Sequence, residues 1–240
     1  MTDPVELCAH ADAAWHASWL AALGCRSEDD GEVWRALDAP PYIYFAAITL
    51  RRDVQVGAVA SIRGSICDSW QSLDLEPHGF RVWRQDPWYY RQVAAPVSEE
   101  PPRELEIVRV QSAAEVAELE EVSVRGFGGD DARVKPGSLH PASILEDSRM
   151  ALFIGRVGGV AVGAAMGYRT DDAVGVFGVT TVASARRRGY GAALTSAALL
   201  TETGLPAILA SSAEGEPLYR RLGFERVGEL SIWVRADQAP

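Results

Sequence analysis

The chain has 240 residues, 48% of them apolar, and a formal charge of −10 with a sequence pI near 4.9; it is long enough for one large globular domain or two small ones with a filled core. That acidity argues against general nucleic-acid binding, which needs a basic footprint, and favours a cationic or amine ligand. No apolar run reaches the length of a membrane span and no basic residue precedes Arg26, so neither a membrane segment nor a secretory leader is expected and the cytoplasm is the default compartment. Cys8, Cys25 and Cys67 are odd in number and form no Cys-x-x-Cys pair, and His10, His16, His78 and His140 are scattered, so neither a disulfide framework nor a metal site is expected.

Taken in order, Asp3-Pro4-Val5-Glu6 joins an N-cap acid, a proline at the first helical position and a glutamate at N3. The spacing then predicts a helix with Leu7, Ala11, Trp15, Trp19 and Leu23 on one face, ended by Gly24. Ser27 to Gly31 reads as a charged loop, and the β-rich runs Tyr42 to Leu50 and Val54 to Ile62 read as a hairpin. Asp68 to Phe80 predicts a loop and a short helix ending at Gly79-Phe80, after which Arg81 to Trp83 is extended. Six of the seven tryptophans precede residue 89, so this half should have an aromatic core or a large apolar face to share. The acidity also concentrates here, with 8 Lys and Arg against 15 Asp and Glu in the first hundred residues.

Pro96, Glu99, Glu100, Pro101 and Pro102 mark the expected linker, placed at residues 96–103 between a first unit at 1–95 and a second at 104–240. Leu105 to Val110 predicts a strand. Ser112 and Glu115 form a capping box before a helix carrying Val116, Leu119 and Val122, stopped by Gly126, Gly128 and Gly129. Residues 127–141 form a long polar loop, suited to a substrate mouth or to a solvated connection alike. Ala151 to Val157 and Val160 to Tyr168 flank Gly158-Gly159 as a tight hairpin, and the chargeless run Ala173 to Val182 is a strand covered on both faces.

That strand runs into Arg186-Arg187-Arg188-Gly189-Tyr190-Gly191 and then into a helix of small residues. Two glycines there let successive N–H groups converge on an anion at the helix start, and three arginines add charge, so a phosphate or pyrophosphate is the fitting guest. No Gly-Lys-Ser/Thr follows, and Leu194 stands where a dinucleotide fingerprint needs its third glycine. Beyond the helix come a short strand at Ala207 to Ala210, a helical turn opened by Pro217 and closed by Gly223, and a last strand at Phe224 to Val234.

Arg186-x-x-Gly189-x-Gly191 resembles motif A of the GNAT superfamily, the acyl-CoA-dependent N-acetyltransferases, and Pro217-Leu218-Tyr219-Arg220-Arg221-Leu222-Gly223-Phe224 is similar to the Leu-Tyr-x-x-x-Gly-Phe segment late in such domains. The resemblance covers residues 105–234. It implies the α/β GNAT fold, a mixed central sheet flanked by helices, and acetyl-CoA as cosubstrate. It implies that the backbone of Val179, Thr180 and Thr181 holds the pantetheine arm. The pyrophosphate falls to the turn of Gly189, Tyr190, Gly191 and Ala192, with Arg187 and Arg188 beside it or on the ribose phosphate. Ser212 stands in for the usual Asn, and Tyr219 for the phenol that protonates the leaving thiolate.

No general base is evident, with Asp171, Asp172 and Glu121 the candidates. Residues 1–95 read as a degenerate second GNAT-like half, in which Gly79-Phe80 echoes Gly223-Phe224 and Leu75 falls where Tyr219 would align. The reaction so implied moves an acetyl group to an amine of a small molecule or peptide, with no nucleic acid or membrane as partner and a homodimer left open. The alternatives are a non-catalytic acyl-CoA-binding module and a nucleotide-binding protein of another fold.

Overall fold

The computed structural model describes residues 3–93, 100–212 and 214–237; half of the expected linker, residues 96–99, lies outside them. The chain begins with helix α1 (Pro4–Ala22), whose N-cap Asp3 accepts a hydrogen bond from the Val5 amide, followed by the short strands β1 (Ser27–Asp29), β2 (Val33–Ala36), β3 (Ala47–Thr49) and β4 (Ile66–Asp68). A 3₁₀ turn at Glu76–His78 leads into the long strand β5 (Phe80–Arg91). Then follow β6 (Leu105–Arg109), α2 (Ala113–Gly128), β7 (Met150–Val157), β8 (Val160–Arg169), β9 (Val174–Thr181), α3 (Tyr190–Leu199), β10 (Ala207–Ala210), α4 (Glu216–Arg221) and β11 (Glu225–Arg235).

All eleven strands form one mixed sheet in the order β1-β2-β3-β4-β11-β5-β10-β9-β8-β7-β6. Within each half the pattern is the same: a parallel pair (β3 with β4, β9 with β10), then a short helical turn, then a long final strand. The final strands are exchanged. β5 lies between β10 and β11, and β11 lies between β4 and β5, so each half completes its sheet with the other's last strand. Matching contacts surround the exchange: Arg91 Nε donates to Leu222 O at 2.9 Å, and Arg235 Nη1 donates to His78 O at 3.1 Å. The Phe224 amide donates to Tyr219 O and the Phe80 amide to Leu75 O, so Leu75 does stand in the place of Tyr219. The two halves thus repeat one strand pattern in tandem.

Alternation along β7 sends Leu152 and Ile154 to one core and Ala151 and Phe153 to the other. The first core packs under α1 and α2 (Trp19, Leu20, Val116, Leu119), the second under α3 and α4 (Leu194, Ala198, Tyr219, Leu222). The capping box forms, with the Glu115 amide on Ser112 Oγ and Glu115 Oε2 accepting from the Ser112 amide.

Several expectations need correction. The helix α1 buries Val5, Cys8, Ala9 and Leu20 as well as Ala11 and Trp19, because it is wedged between both halves instead of lying on one face. Ser27 to Gly31 is not a loop, since β1 pairs with β2 from Ser27–Ala36 to Asp29–Trp34. The hairpin over 42–62 does not form: only Ala47–Thr49 is a strand, and on either side of a 3₁₀ turn at Val56–Ala58 the side chains of Val54 and Val59 enter a third small core with Ile66 and Trp233. Its apolar residues thus bury locally without a partner strand. Gly126 does not stop α2, which runs on to Gly128 with Gly129 as cap.

Candidate active site

β9 is parallel to β10 only at Val174–Ala207 and Gly175–Ile208; beyond that point it keeps its pairing to β8 but leaves β10. A bulge at Gly178, whose φ of +58° suits glycine, shifts the register between Ala164–Thr180 and Met166–Phe177 and sends Phe177 and Val179 into different cores. The result is an opening in the sheet beside Val179, Thr180 and Thr181, with one backbone edge free of the β10 ladder.

At the end of β9, Arg186 ties three elements together, donating from Nε to Thr181 O at 3.2 Å and from Nη2 to Gly126 O at 3.0 Å. Gly126 must be glycine here, since a Cβ would overlap the Thr180 hydroxyl. The chain then turns through Arg187 (φ +63°) and Gly189 (φ +83°), the N-cap of α3, which has no side-chain cap. The amides of Arg187, Arg188 and Gly189 meet no acceptor among the described residues. Those of Tyr190, Gly191 and Ala192 open the first turn of α3, where a helix supplies none. A Cβ on Gly191 would come to 3.4 Å of Leu218 Cδ1 and 3.8 Å of Thr181 Oγ1, so the turn, α4 and the end of β9 meet at this point. Six consecutive donors thus lie at the positive end of a helix, where negative charge is favoured.

The Tyr190 side chain is not free to join it. It is buried, and its hydroxyl donates to Glu104 Oε1 at 3.0 Å, so only its amide serves the turn. Arg187 and Arg188 are exposed, and Arg188 helps hold the Glu104 carboxyl below its usual range, after the Glu104 amide and the Tyr190 hydroxyl. Ser212 is exposed, and its carbonyl accepts from Gly215 N at 3.0 Å to start α4. Tyr219 is 8% exposed and packs near Tyr89 and Phe224 at 6.2 and 6.0 Å between centroids. Burial pushes its phenol up to about 12, so it stays protonated at neutral pH. It shares a core with Val179 and Leu218.

Two of the three candidate bases are not brought to this end. Asp171 and Asp172 occupy the β8–β9 turn, a whole strand of roughly 25 Å from Thr181. There they line a groove of about 600 Å³ with Glu6, His10 and Glu28. Glu121 is exposed, 4.0 Å from Arg125. Its neighbour Glu120, which sequence reasoning passed over, is fully buried and accepts from the amides of Gly137 (2.6 Å), Leu139 (2.7 Å) and His140 (2.9 Å). Tyr44 Oη donates to Leu139 O at 2.8 Å, so the end of the 127–141 loop is clamped from both halves. Glu104 and Gly126 were also missed as site residues, a glycine inside an otherwise helical pattern being the one available signal, and Arg186, read as the head of the motif, proves to be a brace for β9 and α2.

Burial alone lowers the His140 imidazole from 6.5 to about 4. It is therefore neutral when folded and takes a proton more readily when unfolded, so its stabilising effect is complete above pH 6.5 and is lost as pH falls toward 4. About 3 kcal/mol should go over that interval. Urea melts at pH 7, 5 and 4 should show a smaller acid loss for His140→Phe than for the unaltered chain.

No helix among the described residues is long and apolar enough to cross a membrane. No family model matches the sequence, and no curated protein matches it. Solved structures do match in shape. A GCN5-related N-acetyltransferase from Kribbella flavida is 21% identical with a TM-score of 0.66, over 95% of this chain and 96% of its own. One from Sphaerobacter thermophilus is 16% identical with a TM-score of 0.56, over 84% and 76%. A tandem GNAT protein from the clavulanic acid biosynthesis pathway is 12% identical with a TM-score of 0.52, over 73% and 65%. These likenesses concern architecture, and with the duplicated strand pattern they lead to one conclusion: the chain has the fold of the GCN5-related N-acetyltransferases, in tandem form.

Proposed function

We propose that the chain is an N-acetyltransferase using acetyl-CoA, with residues 104–240 as its active unit, 1–95 as a supporting unit and 96–103 as the connection. The observation that carries this reading is the run of acceptor-free amides from Arg187 to Ala192 beside a sheet opening at Val179–Thr181. The amides fit a diphosphate, and the free strand edge fits the amide groups of a pantetheine arm. Acetyl-CoA brings the thioester to be attacked; the chain supplies binding, orientation and a proton. Tyr219, neutral and at the junction of α4 with the opening, is the donor to the departing thiolate. The acceptor is an amine of a small molecule or peptide, and no carboxylate lies on β9 to take its proton. An amine already neutral, or a water chain to solvent, meets that need.

The test is a melting comparison with acetyl-CoA, coenzyme A and ATP. Acetyl-CoA and coenzyme A should raise the Tm by several degrees and ATP should not; equal shifts would sink the pantetheine reading. In a thiol-release assay, Tyr219→Phe should cut kcat by about 10²-fold with the KM for acetyl-CoA nearly unchanged. A KM that rises as much as kcat falls would assign the residue to packing. Binding of acetyl-CoA without turnover on any amine would favour the non-catalytic module.

A further inference from the structure

Where β9 parts from β10, the second core lies on one face with Val179 and Tyr219, and Phe177 faces α1 on the other. There the indole of Trp15 stacks on Phe177 at 4.7 Å with the planes 20° apart. Trp15 also stands 4.9 Å from His16, 6.3 Å from Trp19 and 5.7 Å from Tyr44. The cluster continues through His140, 4.6 Å from Trp19, through Phe45, stacked on His16 at 4.9 Å, and through Trp34, 5.8 Å from His16. Its rings come from both halves.

Buried polar atoms in proteins are nearly always paired. In this cluster Trp15 Nε1, His16 Nε2, Trp19 Nε1, Trp34 Nε1 and His140 Nδ1 are all buried with no hydrogen-bond partner among the described residues. Trp19, His16, Trp34 and His140 are each at least 95% buried. Trp15 and Phe45 are only half-buried and join the cluster to solvent.

We infer that this ring cluster is the acceptor site, and that the acceptor is a primary amine on a flat aromatic body bearing neutral oxygen acceptors, not a polycation. The inference rests on the transferase reading above. Ring faces favour a flat apolar body. An indole N–H can only donate, so the three tryptophans ask for oxygen acceptors on the guest. His16 Nδ1 donates to Asp12 O at 2.9 Å, which leaves Nε2 with a lone pair for an amine N–H. Of the buried carboxylates nearby, Glu120 holds three amides, which leaves Asp12, 3.5 Å from the His16 ring, as the single counter-charge. A polycation would therefore bury more positive charge than one carboxylate can offset.

Calorimetric titration of the full chain with 4-aminobenzamide and with spermidine tests this, alongside an acetyl-CoA melt on the same preparation. Saturable binding of 4-aminobenzamide is expected, with none for spermidine. Trp15→Phe, which keeps a ring and loses the N–H, should weaken that binding several-fold, and Trp15→Ala at least 10-fold, with the acetyl-CoA shift retained in both. Tighter binding of spermidine, or 4-aminobenzamide affinity untouched in Trp15→Phe and Trp15→Ala, overturns the inference. An acetyl-CoA shift with no arylamine binding overturns the acceptor site and leaves the cofactor reading standing. Arylamine binding without an acetyl-CoA shift overturns that reading and upholds the rings as a binding site.

Discussion

Expressed alone, residues 104–240 should lose the cooperative unfolding transition of the whole chain, and supplying residues 1–95 as a separate fragment should restore it. The reason is β5. It fills the place between β10 and β11, pairing Arg91–Trp88 with Ala207–Ala210 and running antiparallel to β11 from Phe80–Arg235 to Tyr90–Glu225. Without it, β10 has an open edge and β11 has no neighbour within its own half. Trp88 and Tyr89, both fully buried, enter opposite cores, and losing each is worth about 3–5 kcal/mol. Domains are stable by only about 5–15 kcal/mol, so the loss of both would remove most or all of it. Circular dichroism melts and size-exclusion chromatography decide the matter. A fragment 104–240 that melts as a monomer near the whole chain's Tm would mean that β11 can close the sheet by itself.

Glu120→Ala should destabilise by about 3–5 kcal/mol, whereas Glu121→Ala, one residue along the same helix, should stay within about 0.5 kcal/mol. Glu120 is fully buried and takes three backbone N–H groups of the 137–140 segment; alanine would strand all three and leave a hole beneath them. Glu121 is exposed, with a long ion pair to Arg125. Equilibrium urea unfolding gives both values. Equal effects would show that the loop is held mainly by Tyr44 and its own turns.

The contrast between these two acids shows what the sequence could convey. Residue 120 falls four after Val116 and three before Ser123, on the buried side of α2, so its burial was written in the helical period even though the sequence reading chose its neighbour. Local signals were legible where one short segment determines its own geometry: Asp3-Pro4 starts α1, Ser112 and Glu115 cap α2, and Gly158-Gly159 turns β7 into β8. The glycines of the Arg186–Gly191 turn and the Gly79-Phe80 echo were legible for the same reason. The strand exchange was not, because either half's last strand satisfies the same alternation and only the tertiary register distinguishes them. The 42–62 segment failed for a related reason: Val54 and Val59 needed burial, and a 3₁₀ turn over a small core provides it as well as a strand would. Nor could the spacing of Trp15, Trp19, His16 and His140 reveal a shared cluster drawn from two halves.

The traded strands also bear on how the polypeptide matures. As the chain leaves the ribosome, the segment Phe80–Arg91 emerges long before Ala207–Ala210 and Glu225–Arg235, the two strands that flank it. The early portion therefore waits with a long strand unpaired on both edges, a situation that slows folding and invites pairing with a neighbouring nascent chain. Synthesis of Glu225–Arg235 is what releases it.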